Sequence, residues 1–119
     1  MIYIGTDSVV HKNHVVYVTA VVEIKQDYQK ITSTRLVEPP LANISQRMWR
    51  EYALTVDAWT ALGSPQECEL HFDVNPNRKY KSNKVYKQIK AASNLTQHPP
   101  KFKPDSWCAT HLADRLARK

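Results

Sequence analysis

The sequence predicts an α/β fold in which a mixed central sheet, three antiparallel leading strands plus parallel strands, is flanked by helices. Three observations predict it. Three β-rich segments joined by short turns occupy residues 1–37, a stretch of helical periodicity follows over 43–62, and a lone alternating segment lies just beyond it. Tight turns join only antiparallel strands, whereas a helix can carry the chain across to a strand parallel to the first.

Residues 1–7 alternate. Ile2, Ile4 and Thr6 share one face, and Tyr3, Gly5 and Asp7 the other. A turn is expected at Lys12-Asn13. The run HVVYVTAVVEI (14–24) is the densest in β-branched and aromatic residues and is the strongest strand. Gln26-Asp27 makes a hairpin turn into a third strand, Lys30 to Val37, which Pro39-Pro40 ends. From Asn43 to Leu62, residues Ile44, Met48, Tyr52, Thr55, Val56 and Trp59 recur at steps of three and four. Asn43 or Ser45 can cap this helix, and Gly63-Ser64-Pro65 stops it. Glu67 to Val74 alternates again, with Cys68, Leu70, Phe72 and Val74 opposite Glu69, His71 and Asp73. Ser82 is placed to cap a short helix over Asn83–Ala92. Residues 94–103 hold at most a short edge strand, and Pro104-Asp105 opens a last helix toward Lys119.

At 119 residues the chain is sized for a single domain, 1–119. It is 42% apolar and 24% charged, as soluble globular proteins are. A net charge of +6 points to acidic partners, nucleic acid first and an anionic membrane surface second. The start MIYIGTDS has no basic leader, and no stretch approaches the roughly 18–20 apolar residues of a membrane span. Cys68 and Cys108 alone make no disulfide framework, which suits a reducing, cytoplasmic setting. The expectation is therefore no membrane, with homodimerisation left open for so small a chain.

The topology decides where the acids go. Asp7 closes the first strand and Asp73 nearly closes the fourth; if these are parallel neighbours, both carboxylates emerge at one edge of the sheet. Like charges so placed repel unless a cation lies between them, and hard cations such as Mg²⁺ or Mn²⁺ take oxygen ligands. Glu51, at the margin of the helix's apolar face, reaches toward the same edge, where a charge is costly unless paired or bound. Asp105 in the first turn of the last helix is the fourth candidate. Ordinary roles compete: Asp7-Ser8 as a turn, Asp105 on a helix dipole, Glu51 beside a lysine or arginine.

Three blocks carry a resemblance. IGTDS near the start, HFDVNP followed by KSNK in the middle, and KPDSWCATHLADRLARK at the end resemble the YkuK-type family of predicted RNase H-like nucleases, in that family's order. The resemblance implies an RNase H-like fold whose site acids come from the first strand, a helix, the fourth strand and the last helix. By motif these are Asp7, Asp73 and Asp105, with Asp114 in the LADR that follows. Glu51 is matched only by its place on the long helix. Asp105, at a helix start, is the better placed of the last pair. The segment SNLTQHPPKF lacks the glycine-bearing strand of relatives, which puts the fifth strand in doubt.

The activity implied is metal-dependent hydrolysis of phosphodiester bonds in DNA, RNA or a hybrid, with two Mg²⁺ or Mn²⁺ ions shared by Asp7, Glu51, Asp73 and Asp105. His71, on the Asp73 side of its strand, can hydrogen-bond a ligand carboxylate or serve as a satisfied sheet histidine. Arg78, Lys79, Lys81, Lys84 and Lys87 would meet backbone phosphates, and Tyr80 would stack on a base or ribose. The alternative is a non-catalytic nucleic-acid-binding module on the same fold. A zinc site from Cys68-x-x-His71 and Cys108-x-x-His111 is disfavoured, because residues three apart on a strand face opposite ways.

Overall fold

The computed structural model describes the backbone of residues 1–119 and every side chain except that of Ser82, so the expected Ser82 cap lies outside the described residues. The strands are β1 (Ile2–Val10), β2 (Val15–Lys25), β3 (Tyr28–Glu38) and β4 (Cys68–Phe72). They form one sheet in the order β3-β2-β1-β4, with β1 antiparallel to β2, β2 antiparallel to β3, and β1 parallel to β4. This is the mixed α/β sheet the sequence predicts.

β2 is buried on both faces because its run of valines meets a helical layer on each side. On one face, α1 (Ile44–Ala61) covers a core cluster that holds its Met48 together with Ile4, Cys68, Leu70 and Phe72 of the sheet. On the other, the C-terminal helical segment sets Cys108 and Ala113 against Ala20 and Val22, and Ala117 against Val16 and Val18. β3 projects beyond both layers and is almost wholly exposed, with Ile31 and Val37 in solvent. Each residue of the β1 alternation lies on its expected face. Thr6 bonds Thr55 of α1, while Gly5 faces the C-terminal segment.

The ends of α1 follow their local chemistry. The Asn43 side chain accepts from Gln46 N at 2.9 Å, and Gln46 Oε1 accepts from Ala42 N at 2.9 Å, so Asn43 rather than Ser45 is the cap. Past Leu62 the chain turns through Gly63 at φ 89°, a left-handed conformation that glycine adopts without steric cost.

Three segments depart from expectation. The short helix begins as a 3₁₀ turn (Lys81–Val85) and becomes α2 only over Tyr86–Ala92. The edge strand at 94–103 shrinks to a single bridge, in which Lys101 exchanges 2.9 Å backbone bonds with Leu70 and Phe72. Pro99 and Pro100 just before it have no N–H to extend the ladder. The last helix starts at Trp107, not Pro104. Asp105 N–H closes a turn onto Phe102 O at 2.7 Å, and Ser106 O receives the first helical bonds from Ala109 and Thr110. That segment is π-helical over Cys108–Ala113 and continues as α3 (Asp114–Ala117).

Gly5 sets how closely this segment lies on the sheet. A Cβ there would stand 2.5 Å from Ala109 N and 2.8 Å from Ala109 Cα, so only glycine admits the contact. No helix among the described residues is long and apolar enough to cross a membrane.

Candidate metal centre

The site forms where β1 outruns β4. Their pairing ends at Thr6–Phe72, while β1 continues to Val10. In the notch beyond Phe72, side chains from both faces of the sheet meet at β1's uncovered edge. Asp7 enters from the face under the C-terminal segment, Asp73 from the chain just past β4, and Glu51 from α1. One carboxylate oxygen of each lies within 4.8 Å of the others.

Two hydrogen bonds position Glu51. Thr55 Oγ1 meets Thr6 Oγ1 at 2.8 Å, and one turn earlier on α1 the Glu51 carboxylate accepts from Ser8 Oγ at 2.5 Å. The spacings agree. Two residues along a strand cover about 6.8 Å and four along a helix about 6 Å. Asp73 Oδ1 accepts from Thr110 Oγ1 at 3.2 Å and pairs with Lys103 Nζ at 3.1 Å.

Asp7 and Glu51 are 6% and 4% exposed, which makes their charges expensive. Burial, then the charges of Glu51 and Asp73, push the Asp7 carboxyl far above its ordinary range, helped by hydrogen bonds to Asp114 and Asp73. Burial raises Glu51 as well. The Ser8 hydrogen bond opposes that rise, the Asp73 charge adds to it, and Arg47 and Lys103 oppose it. An all-oxygen donor set whose members repel one another fits a hard divalent cation, which removes the repulsion that burial amplifies.

Of the four acids expected from the sequence, the structure brings together Asp7, Glu51 and Asp73. Asp105 is corrected: it lies exposed in the turn before the helix and lines a different cavity. The late start of the helix leaves it outside. Asp114, not Asp105, lines the acid cavity of about 350 Å³ together with Asp7 and Asp73. It stands four residues beyond Thr110, so one helix face carries both groups.

His71 takes the second of the two roles expected for it, a satisfied sheet histidine. Its Nε2–H donates to Glu69 at 2.7 Å and its Nδ1 accepts from Cys108 N–H at 3.0 Å, so it fastens the C-terminal segment rather than a site acid. Burial pushes its pKa below the usual histidine value. Cys68 and Cys108 are buried free thiols in separate clusters on opposite faces of the sheet, and burial pushes both up to about 12. Arg78, Lys79, Tyr80, Lys81, Lys84 and Lys87 are exposed, and none lines the acid cavity. Lys79 Nζ rides 5.9 Å over the Tyr80 ring.

Three cations at the cavity, Arg47, Lys103 and Arg118, escaped the sequence reading. Arg47 precedes Glu51 by four residues and Arg118 follows Asp114 by four, a spacing that places each pair on one helix face. Arg118 Nε bonds Asp114 Oδ1 at 2.9 Å. Arg47 Nε is buried and has no hydrogen-bond partner among the described residues.

A mixed β3-β2-β1-β4 sheet with helical layers on both faces and carboxylates at the shared edge of β1 and β4 defines an α/β protein of RNase H-like type. The model of the family described as Ribonuclease H-like matches residues 1–118, and the chain belongs to that family. No match was found among curated proteins or among solved structures.

Proposed function

We propose that the protein is a divalent-metal-dependent nuclease that hydrolyses phosphodiester bonds in nucleic acid. The observation that carries this reading is the convergence of Asp7, Glu51 and Asp73 within 4.8 Å in a buried notch. With Asp114 beside Asp7, these carboxylates would hold a pair of Mg²⁺ or Mn²⁺ ions. When bound, the metal would supply Lewis acidity and water activation at a phosphoryl group.

The chain's own residues account for the rest. Arg47, with an unsatisfied Nε–H at the cavity, is fitted to a phosphate oxygen. Lys103 and Arg118 add positive charge at the rim, so an anionic strand is attracted despite the acids. Glu51 is oriented by Ser8, and Asp73 by Thr110. Arg78, Lys79, Lys81, Lys84 and Lys87 would hold backbone phosphates further along the strand, with Tyr80 available for stacking. Two buried free thiols suit a reducing compartment, which we take to be the cytoplasm.

One observation favours the non-catalytic alternative: Lys103 already pairs with Asp73 and partly neutralises the cluster. Labelled single strands, duplexes, hybrids and branched DNA incubated in Mn²⁺, Mg²⁺ or EDTA separate the readings. The nuclease reading expects metal-dependent cleavage of at least one substrate. Binding without cleavage in every metal would establish the module instead.

A further inference from the structure

A second cavity, of about 380 Å³, adjoins the acid cavity through Lys103, which lines both. Its walls combine two aromatic rings, Tyr86 and Phe102, with Lys90, Lys101 and Lys103 and a single carboxylate, Asp105. Three cations against one anion make it a receptor for negative charge. The aromatic rings make it a receptor for a flat, apolar body as well. A nucleotide has both.

The aromatic wall is held in place before any ligand arrives. Tyr86 meets Phe102 edge-on, at 5.1 Å and 81°. Phe102 stacks on Phe72 at 5.9 Å, and Phe72 on Tyr52 at 5.6 Å, so the cavity wall is the end of an aromatic column running into the core. Lys90 Nζ lies 5.7 Å over the Tyr86 ring, a cation poised beside a stacking surface. The backbone of Lys101 is tied to β4 by two bonds, which places the lysine relative to the strand that leads into Asp73.

We propose that this cavity binds an unpaired nucleotide next to the scissile phosphate, its base against Tyr86 and Phe102 and its phosphate on Lys90 and Lys101. The proposal rests on the nuclease reading and deepens it by naming the substrate class, single-stranded or locally unpaired nucleic acid. A base within a duplex is stacked on both sides and cannot enter a cavity without leaving the stack. Lys103, paired with Asp73 at 3.1 Å, spans the two cavities, so a strand seated in one runs directly into the other. Asp105 at the rim offers an acceptor to an exocyclic amino group.

The test is binding, read by fluorescence anisotropy in both EDTA and Ca²⁺, with a labelled 12-nucleotide single strand as DNA and as RNA. The matching duplex and an abasic strand of the same length run alongside. The expected result is single-strand binding weakened about 10-fold by removal of the bases, as loss of stacking predicts, and weaker binding to the duplex. Lys90→Ala combined with Lys101→Ala should lose about 10-fold and lower the salt dependence by about one to two units of slope. Tyr86→Leu, checked for folding by circular dichroism, should erase the preference for strands that carry bases. Equal affinity for the abasic strand, unchanged binding by the lysine variant, or no wild-type binding in either condition would overturn the proposal. Because binding is read without turnover, absence of cleavage elsewhere leaves a positive result standing. Cleavage with unaffected variant binding sinks only this inference.

Discussion

Thr55 of α1 and Thr6 of β1 share a 2.8 Å hydrogen bond in the core, and this contact sets the axial position of α1 on the sheet. Thr6 also bonds Thr19 of β2 at 2.9 Å, so the helix is referenced to two strands at once. One turn earlier on the same helix face, Glu51 is thereby carried past the end of β4 to the notch. Thr55→Val removes the bond while keeping the volume. It should cost about 1–3 kcal/mol in urea unfolding, the cost of leaving a buried polar partner short of a bond. Calorimetric titration should also show weaker Mn²⁺ binding.

The apo acid cluster works against folding. Asp7 and Glu51 have carboxyl pKa values raised above their unfolded values of 3.8 and 4.5. The native state therefore holds more protons than the unfolded chain in the window above those values, and stability falls as pH rises through it. Asp7→Asn removes one of the repelling charges. At pH 8 in EDTA this variant should be more stable than the parent by at least about 1.4 kcal/mol, the equivalent of one unit of pKa shift. A melting curve checks this, and the same variant should lose the stabilisation that Mn²⁺ gives the parent.

His71 has the opposite sign. Its folded pKa is depressed below 6.5, so its contribution is fully present above pH 6.5 and is lost as pH falls toward the folded value. Protonation of Nδ1 would also break the bond from Cys108 N–H. Between pH 6.5 and the unfolded thiol value of 9.0 the raised carboxyls should dominate the slope, and the metal-free melting temperature should decrease with pH. ¹⁵N NMR should find His71 as the neutral Nε2–H tautomer, untitrated through pH 6.5.

Gly5→Ala should disrupt the site from beneath. The new Cβ meets backbone rather than a flexible side chain, so the C-terminal segment must lift and take Thr110 and Asp114 with it. The cost should reach or exceed the about 1–3 kcal/mol typical of overpacking, read by urea denaturation, with Mn²⁺ affinity reduced in parallel.

The strands and α1 were legible because their signals are local: valine-rich alternation, apolar steps of three and four, and an asparagine cap. The parallel placement of β1 and β4 follows from connection rules, and it brings Asp7 and Asp73 to one edge. The C-terminal third was less legible. Pro104 and Asp105 suit a turn as well as a helix start, and the turn is what forms, with Asp105 N–H bonded to Phe102 O, so a helix start at Pro104 comes too early and favours Asp105 over Asp114. Of the three cations at the cavity, Arg47 and Arg118 carried a local signal in their i,i+4 spacing to Glu51 and Asp114, whereas Lys103 carried none. Lys103 reaches Asp73 only through the docking of residues 101–103 on β4 and the chain just beyond it, a contact between segments some 30 residues apart that no local pattern records.

The most direct measurement is single-turnover cleavage of the best substrate in Mn²⁺, comparing the parent with Asp73→Asn. The structure predicts a rate at least about 100-fold lower for the variant, since even outer partners of a metal ligand are worth 10- to 100-fold, and no cleavage by either protein in EDTA. Equal rates for the two proteins, or cleavage that persists in EDTA, would contradict a metal centre built on Asp7, Glu51 and Asp73.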